Sequence, residues 1–118
     1  MRHIEENLQV SCVKWFDLQY PKLRLFLHHS PNGGYRNALE AKRFKAMGVR
    51  AGFPDLIFLF PGFYGAYIAI EFKSPIGRQT DAQKAYQSAL PKGCYFIVRS
   101  FEQFANIIKT HLNQINKS

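Results

Sequence analysis

Apolar residues recur at helical spacing near the start of the chain. Ile4, Leu8, Cys12, Trp15 and Phe16 form one stripe of a helix predicted over residues 4–18, which Pro21 ends. Residues 23–28, Leu-Arg-Leu-Phe-Leu-His, read as a strand, and Pro31-Asn32-Gly33-Gly34 as a turn or flexible loop. Asn37, with Glu40 three residues on, predicts the start of a second helix that runs to about Met47 and stops at Gly48. Two strongly apolar runs follow, 55–60 and 67–73, separated by Pro61-Gly62-Phe63-Tyr64-Gly65, which is a hairpin signal. Thr80 caps a third helix with Ala82, Ala85, Tyr86, Ala89 and Leu90 as its buried stripe. Residues 94–98 read as a strand. Ser100 with Gln103 then opens a last helix that turns Phe101, Phe104, Ala105, Ile108, Leu112 and Ile115 inward. The order αβαββαβα predicts an α/β fold, a mixed β-sheet flanked by helices. No repeat, linker or low-complexity tract breaks it, so residues 1–118 read as one domain.

Composition narrows the class. Apolar residues are 47% of the 118 and aromatics 15%, enough for a packed core. No uncharged apolar window is long enough to span a bilayer, and the N-terminus lacks an apolar signal region. Cys12 and Cys94 make neither a disulfide framework nor a zinc motif, and both read as core residues. These features predict an intracellular protein of cytoplasm or nucleoid, without a membrane partner. Sixteen Lys and Arg against eight Asp and Glu give a net charge of +8, which points to a polyanion and first to nucleic acid.

With so few acids, their positions matter. A hairpin turn centred on Phe63 sets Asp55 opposite Glu71, Ile57 opposite Ala69 and Leu59 opposite Tyr67. The other face is then Leu56, Phe58, Phe60, Ile68, Ile70 and Phe72, all apolar, and a slip of one residue would drive Glu71 into that core. Opposed like charges destabilise a sheet, and a divalent cation relieves the conflict. Carboxylate oxygens suit a hard ion such as Mg2+, which keeps waters and takes substrate phosphate as a ligand. In a basic protein the natural substrate is a phosphodiester. Lys73 projects from the same face as Glu71 and could orient a water or neutralise charge in the transition state.

The segments Gly52-Phe53-Pro54-Asp55-Leu56 and Ile70-Glu71-Phe72-Lys73-Ser74 resemble the PD-(D/E)XK nuclease signature, and more closely its VRR-NUC branch, the virus-type replication-repair nucleases. Further matches are residues 31–36, 45–49 and 77–83, so the resemblance runs from about Glu5 to Phe101. It implies a restriction-endonuclease-like core and a small stand-alone module. The implied activity is metal-dependent DNA endonuclease, often on branched, flapped or four-way DNA in replication, recombination or repair. It implies that Asp55, Glu71 and the backbone carbonyl of Phe72 hold Mg2+ or Mn2+, with Lys73 as the catalytic lysine. A glutamate of the first helix joins the metal directly or through water. Glu5 is favoured, since Glu5 and Gln9 share a helical face as in the family's Glu and Gln pairing, and Glu6 stays open. A phage or prophage origin would suit this branch.

Gln83 is a family-like polar residue that could contact Lys73 or a phosphate, although Thr80 and Gln83 also form a capping box. Arg36, Lys42, Arg43, Lys45 and Arg50 form the expected phosphate-contacting surface, with Arg78 near the site. His3, His28, His29 and His111 show no metal spacing. A homodimer would supply two active sites for opposite strands of a branched substrate. The alternative reading is a non-catalytic DNA-binding module on the same fold, which would be expected to lose at least one of Asp55, Glu71 and Lys73.

Overall fold

The two apolar runs pair through their alternating residues. The computed structural model describes residues 2–30, 37–62 and 65–116, the side chains of residues 2 and 113–116 excepted. In it β2 (Leu56–Leu59) and β3 (Tyr67–Phe72) are antiparallel, with Leu56 opposite Ile70, Ile57 opposite Ala69, Phe58 opposite Ile68 and Leu59 opposite Tyr67. This is the register expected from the sequence. Leu56, Phe58, Ile68 and Ile70 are buried, and any slip would turn them outward. The Phe60 N–H donates to the Ala66 carbonyl at 3.1 Å and continues the pairing toward the turn, whose Phe63 and Tyr64 lie outside the described residues.

With β1 (Leu27–His29) and β4 (Tyr95–Val98), the sheet order is β1-β2-β3-β4. β1 is antiparallel to β2. Beside β3, the Ala69 N–H donates to the Cys94 carbonyl at 2.6 Å and Lys73 N–H to Val98 at 3.0 Å. That constant offset makes β4 parallel to β3. Parallel neighbours need a crossover, supplied by α3 (Asp81–Ala89).

One expected strand is different. Residues 21–26 form a 3₁₀ helix, and pairing begins only at Leu27. Pro21 has no N–H for a ladder, and its fixed φ suits a helical start. The Leu23 N–H bonds back to the Tyr20 carbonyl at 2.9 Å, and Leu25 is 91% exposed, so the Leu23, Leu25, Leu27 alternation has no sheet face to cover.

The chain groups into two compact units. The first is Met1–Leu25, Glu71–Arg78 and Ile97–Ser118. Here α1 (Arg2–Gln19) packs on α4 (Phe101–Asn116). Cys12 and Phe16 meet a core that includes Phe104, Ile108 and Leu112, all buried. The Trp15 ring lies edge-on 5.7 Å from Phe101 and 6.1 Å from Phe104, and Phe72 is 6.1 Å from Phe104. Each such side chain contributes about 1.5–3 kcal/mol when fully buried. The expected inward Ile115 side chain lies outside the described residues.

The second unit is Phe26–Ile70 and Gln79–Phe96. Asn37 caps α2 (Ala38–Ala46), accepting from the Glu40 N–H at 2.8 Å, and Gly48 at φ +108° follows its end. Thr80 and Gln83 complete both halves of their capping box on α3. The stripe of α3 is narrower than expected. Ala82, Tyr86 and Leu90 are half-buried, whereas Ala85 and Ala89 are exposed. The helix leans on the line through Ala82 and Tyr86, where Gly52 approaches one and the Phe53 ring meets the other at 5.5 Å.

Burial pushes the Cys12 thiol from 9.0 up to about 12. The folded chain therefore keeps a proton that the unfolded chain loses above pH 9.0. This contribution is whole below that pH and is lost as pH rises toward about 12, at no more than about 1.4 kcal/mol per pH unit. Denaturant midpoints measured in this alkaline window should fall more steeply for the wild type than for Cys12→Ala. Parallel falls would mean that the thiol ionises within the fold.

Candidate active site

The end of β3 carries the chemistry of the first unit. Strand alternation sends Phe72 into the core, so Glu71 and Lys73 share the opposite face. Both are buried, Glu71 at 1% and Lys73 at 7% exposure. Lys73 Nζ stands 3.9 Å from Glu71 Oε2. The adjoining Ser74 donates its backbone N–H to Glu5 Oε2 at 3.2 Å. This bond ties the first turn of α1 to the residue that follows the Glu-Phe-Lys run. Glu6 instead is exposed, with its carboxylate 3.9 Å from His3 Nδ1.

One residue here, Arg99, is not marked by any motif in the sequence. Arg99 Nη1 donates to the carbonyls of Ser74 at 2.7 Å, Gly77 at 2.8 Å and Pro75 at 3.5 Å. One guanidinium thus holds the loop after β3 in place. Ser74 Oγ is buried with no hydrogen-bond partner among the described residues. A Cβ on Gly77 would stand 2.9 Å from that oxygen and 3.2 Å from Glu5 Oε2. Backbone carbonyls as partners leave no sequence signature. An Arg closing a strand just before a helix-capping Ser was the one available hint.

Asp55 and Gln83 belong to the second unit. Asp55 is half-buried and directly precedes β2, and its carbonyl accepts from His29 Nδ1 at 2.8 Å. Gln83 is half-buried, and its Oε1 accepts from the Thr80 N–H at 2.8 Å. Gly52, at φ +79°, is required by close approach, since a Cβ there would come 2.6 Å from Ala82. Lys42, Arg43, Lys45 and Arg50 are exposed in this unit, and Arg78 is exposed in the loop after Lys73. Arg36 and the Pro31-Asn32-Gly33-Gly34 turn lie outside the described residues. Among the described residues no three His, Cys, Asp or Glu side chains gather as a metal cluster, and no helix is long and apolar enough to cross a membrane.

The VRR-NUC domain model matches residues 2–95. This chain belongs to the VRR-NUC family. These are nuclease domains, which implies DNA as the substrate class. A solved structure described as a "VRR_NUC domain protein" is 30% identical, with a TM-score of 0.74, covering 92% of this chain and 88% of that one. No curated protein matches the chain. The mixed four-stranded sheet with its flanking helices fits the restriction-endonuclease-like fold of VRR-NUC domains. The matched stretch includes Glu5, Asp55, Glu71, Lys73 and Gln83 but stops short of Arg99.

Gly77 offers a test that leaves every charged group of this VRR-NUC domain in the chain. Gly77→Ala presses on the Ser74 hydroxyl and the Glu5 carboxylate, ends that can rotate, and comes 3.3 Å from the Ser74 backbone nitrogen, which must give by a few tenths of an ångström. Thermal stability should change little. Nuclease activity should fall about 10- to 100-fold, as when a group that orients a functional side chain is removed. Unchanged cleavage would show that the position of Glu5 does not matter.

Proposed function

We propose that this VRR-NUC domain is a metal-dependent DNA endonuclease, selective for branched, flapped or four-way DNA in replication, recombination or repair. The observation that carries this reading is the buried Glu71–Lys73 pair at the end of β3. An exposed pair is ordinary surface chemistry worth roughly 0–1 kcal/mol. A buried pair bears a desolvation cost that apolar side chains would avoid. Ionisable groups kept in such a place mark a candidate site.

The reading takes Asp55 and Glu71 as metal ligands, as the likeness to the family's signature implies. With the Phe72 carbonyl they offer only oxygen donors, which fits Mg2+ or Mn2+ with waters and a phosphate oxygen completing the shell. Glu5, anchored through Oε2 on Ser74, joins directly or through water. When bound, the ion supplies Lewis-acid polarisation of the phosphate and activates a water. The chain's own residues do the rest. Lys73, held beside Glu71, keeps positive charge where the reacting phosphate gains negative charge. Gln83 can donate its amide to a phosphate while its oxygen caps α3. Arg36, Lys42, Arg43, Lys45, Arg50 and Arg78 hold the backbone without reading sequence. Two copies in a homodimer would cut opposite strands.

Labelled linear, flapped and four-way DNA incubated with Mg2+, Mn2+ or EDTA tests the proposal. Cleavage should need the metal and favour the branched forms. Binding without cleavage in either metal would instead make the domain a non-catalytic DNA-binding module.

The basic helix is tested separately. Arg43→Ala/Lys45→Ala should weaken binding about equally for all sequences. It should also lower the slope of log affinity against log salt by roughly 0.9 for each duplex phosphate that is no longer neutralised. The single-turnover rate at saturating protein should hardly move. An unchanged slope would place the DNA path elsewhere.

A further inference from the structure

Beside the basic helix lies an aromatic hollow that the cleavage chemistry does not use. Within the second unit, a groove of about 420 Å³ is lined chiefly by Phe44, Met47, Val49, Arg50, Phe53 and Tyr86. Its size falls within the roughly 300–1,000 Å³ of sites for small molecules. The Phe53 and Tyr86 rings meet edge to face at 84°. Met47 stands 75% exposed. None of the lining residues is acidic. Arg50 puts a positive charge on the wall, and Lys42, Arg43 and Lys45 are exposed on α2, the helix that also carries Phe44 of the lining.

We propose that this groove receives the base of an unpaired nucleotide, with its flanking phosphates held by Arg50 and the cations of α2. Aromatic walls stack any base, since every base has a π-face. A positive wall free of acids draws an anionic backbone and repels a cationic ligand. A wholly apolar occupant would leave those charges without a counterpart. A base within a duplex is already stacked and enters only after paying for its release, so an unpaired one is favoured. The proposal rests on the nuclease reading and deepens it: preference for flapped DNA arises from capture of an unpaired base rather than from duplex shape.

Fluorescence anisotropy in EDTA, which separates binding from cleavage, tests it on the full chain. The probes are a blunt duplex, the same duplex with a short oligo-dT overhang, and that overhang with abasic residues. The dT overhang should bind more tightly than the blunt end. Abasic residues should weaken it about 5- to 100-fold, the range for one stacked base. Tyr86→Leu keeps apolar bulk but removes a stacking ring. It should lower the dT-overhang affinity toward that of the abasic probe and leave the blunt duplex unchanged. If that variant fails to fold, the abasic comparison on the wild type still decides. Equal affinity for all three probes overturns the base pocket and leaves the DNA reading standing, whereas no binding to any probe overturns both. Conversion of a dimer to a monomer by Tyr86→Leu, with overhang preference intact, assigns the groove to a second copy and overturns the proposal.

Discussion

Glu71→Gln should abolish metal-dependent cleavage, by on the order of 10³-fold or more, while the fold and DNA binding survive. The loss expected for one missing electrostatic group at a reacting centre is already about 10²–10³, and here a proposed metal ligand goes with it. Glutamine keeps the shape of a side chain that is only 1% exposed, so the β3 backbone has no reason to move. What changes is charge. A carboxylate that suits a hard cation becomes a neutral amide, and the Lys73 ammonium 3.9 Å away loses its counter-charge. DNA binding in EDTA should persist, since the exposed cations of α2 are untouched. Single-turnover cleavage, anisotropy and circular dichroism on one preparation separate these effects. Wild-type cutting by this variant would eliminate the proposed site.

Lys73→Ala should slow turnover on the order of 10²-fold or more, because a fixed positive charge near the phosphate is gone. Metal affinity should persist, since an ammonium is not a ligand. The structure adds a second expectation. The lysine side chain is 9% exposed and that of Glu71 1%, so its removal takes a positive charge from beside a buried carboxylate. Breaking such a pair costs about 3–5 kcal/mol. Mg2+ should restore part of this by supplying the missing charge, and the variant's melting temperature should rise more with Mg2+ than that of the wild type. Calorimetry and melting curves with and without Mg2+ read both effects. Abolished metal affinity would make Lys73 a structural residue of the centre.

The hairpin was legible because its alternation allows one solution. Leu56 and Phe58 must face Ile68 and Ile70, and any shift exposes them together. Helix starts were legible at Asn37 and Thr80, where the capping side chain and the N–H it receives lie three residues apart. The strand predicted from Leu23 holds only from Leu27 on, and residues 23–26 misled because so short an apolar alternation does not exclude a 3₁₀ turn beginning at a proline. Of the candidate site, the sequence names the charged side chains: the structure sets Lys73 beside Glu71 and bonds Glu5 to Ser74, and their roles in cleavage are proposed. The supports of the site were not legible. Arg99 grips carbonyls, which no pattern of side chains announces, and Gly52 and Gly77, although inside the matched segments, serve by lacking a Cβ, a role that only the packing shows.

The Glu5–Ser74 bond joins residues 69 apart, and Arg99 reaches back over 25 residues to the same serine. Closing a long loop costs entropy that only the finished contacts repay. A chain emerging from the ribosome therefore carries Glu5 long before it carries anything for that carboxylate to hold. The loop beyond Lys73 gains its clamp only once β4 has been made and laid alongside β3. A nascent chain that has not yet reached Arg99 therefore lacks the clamp on the loop that presents the proposed centre.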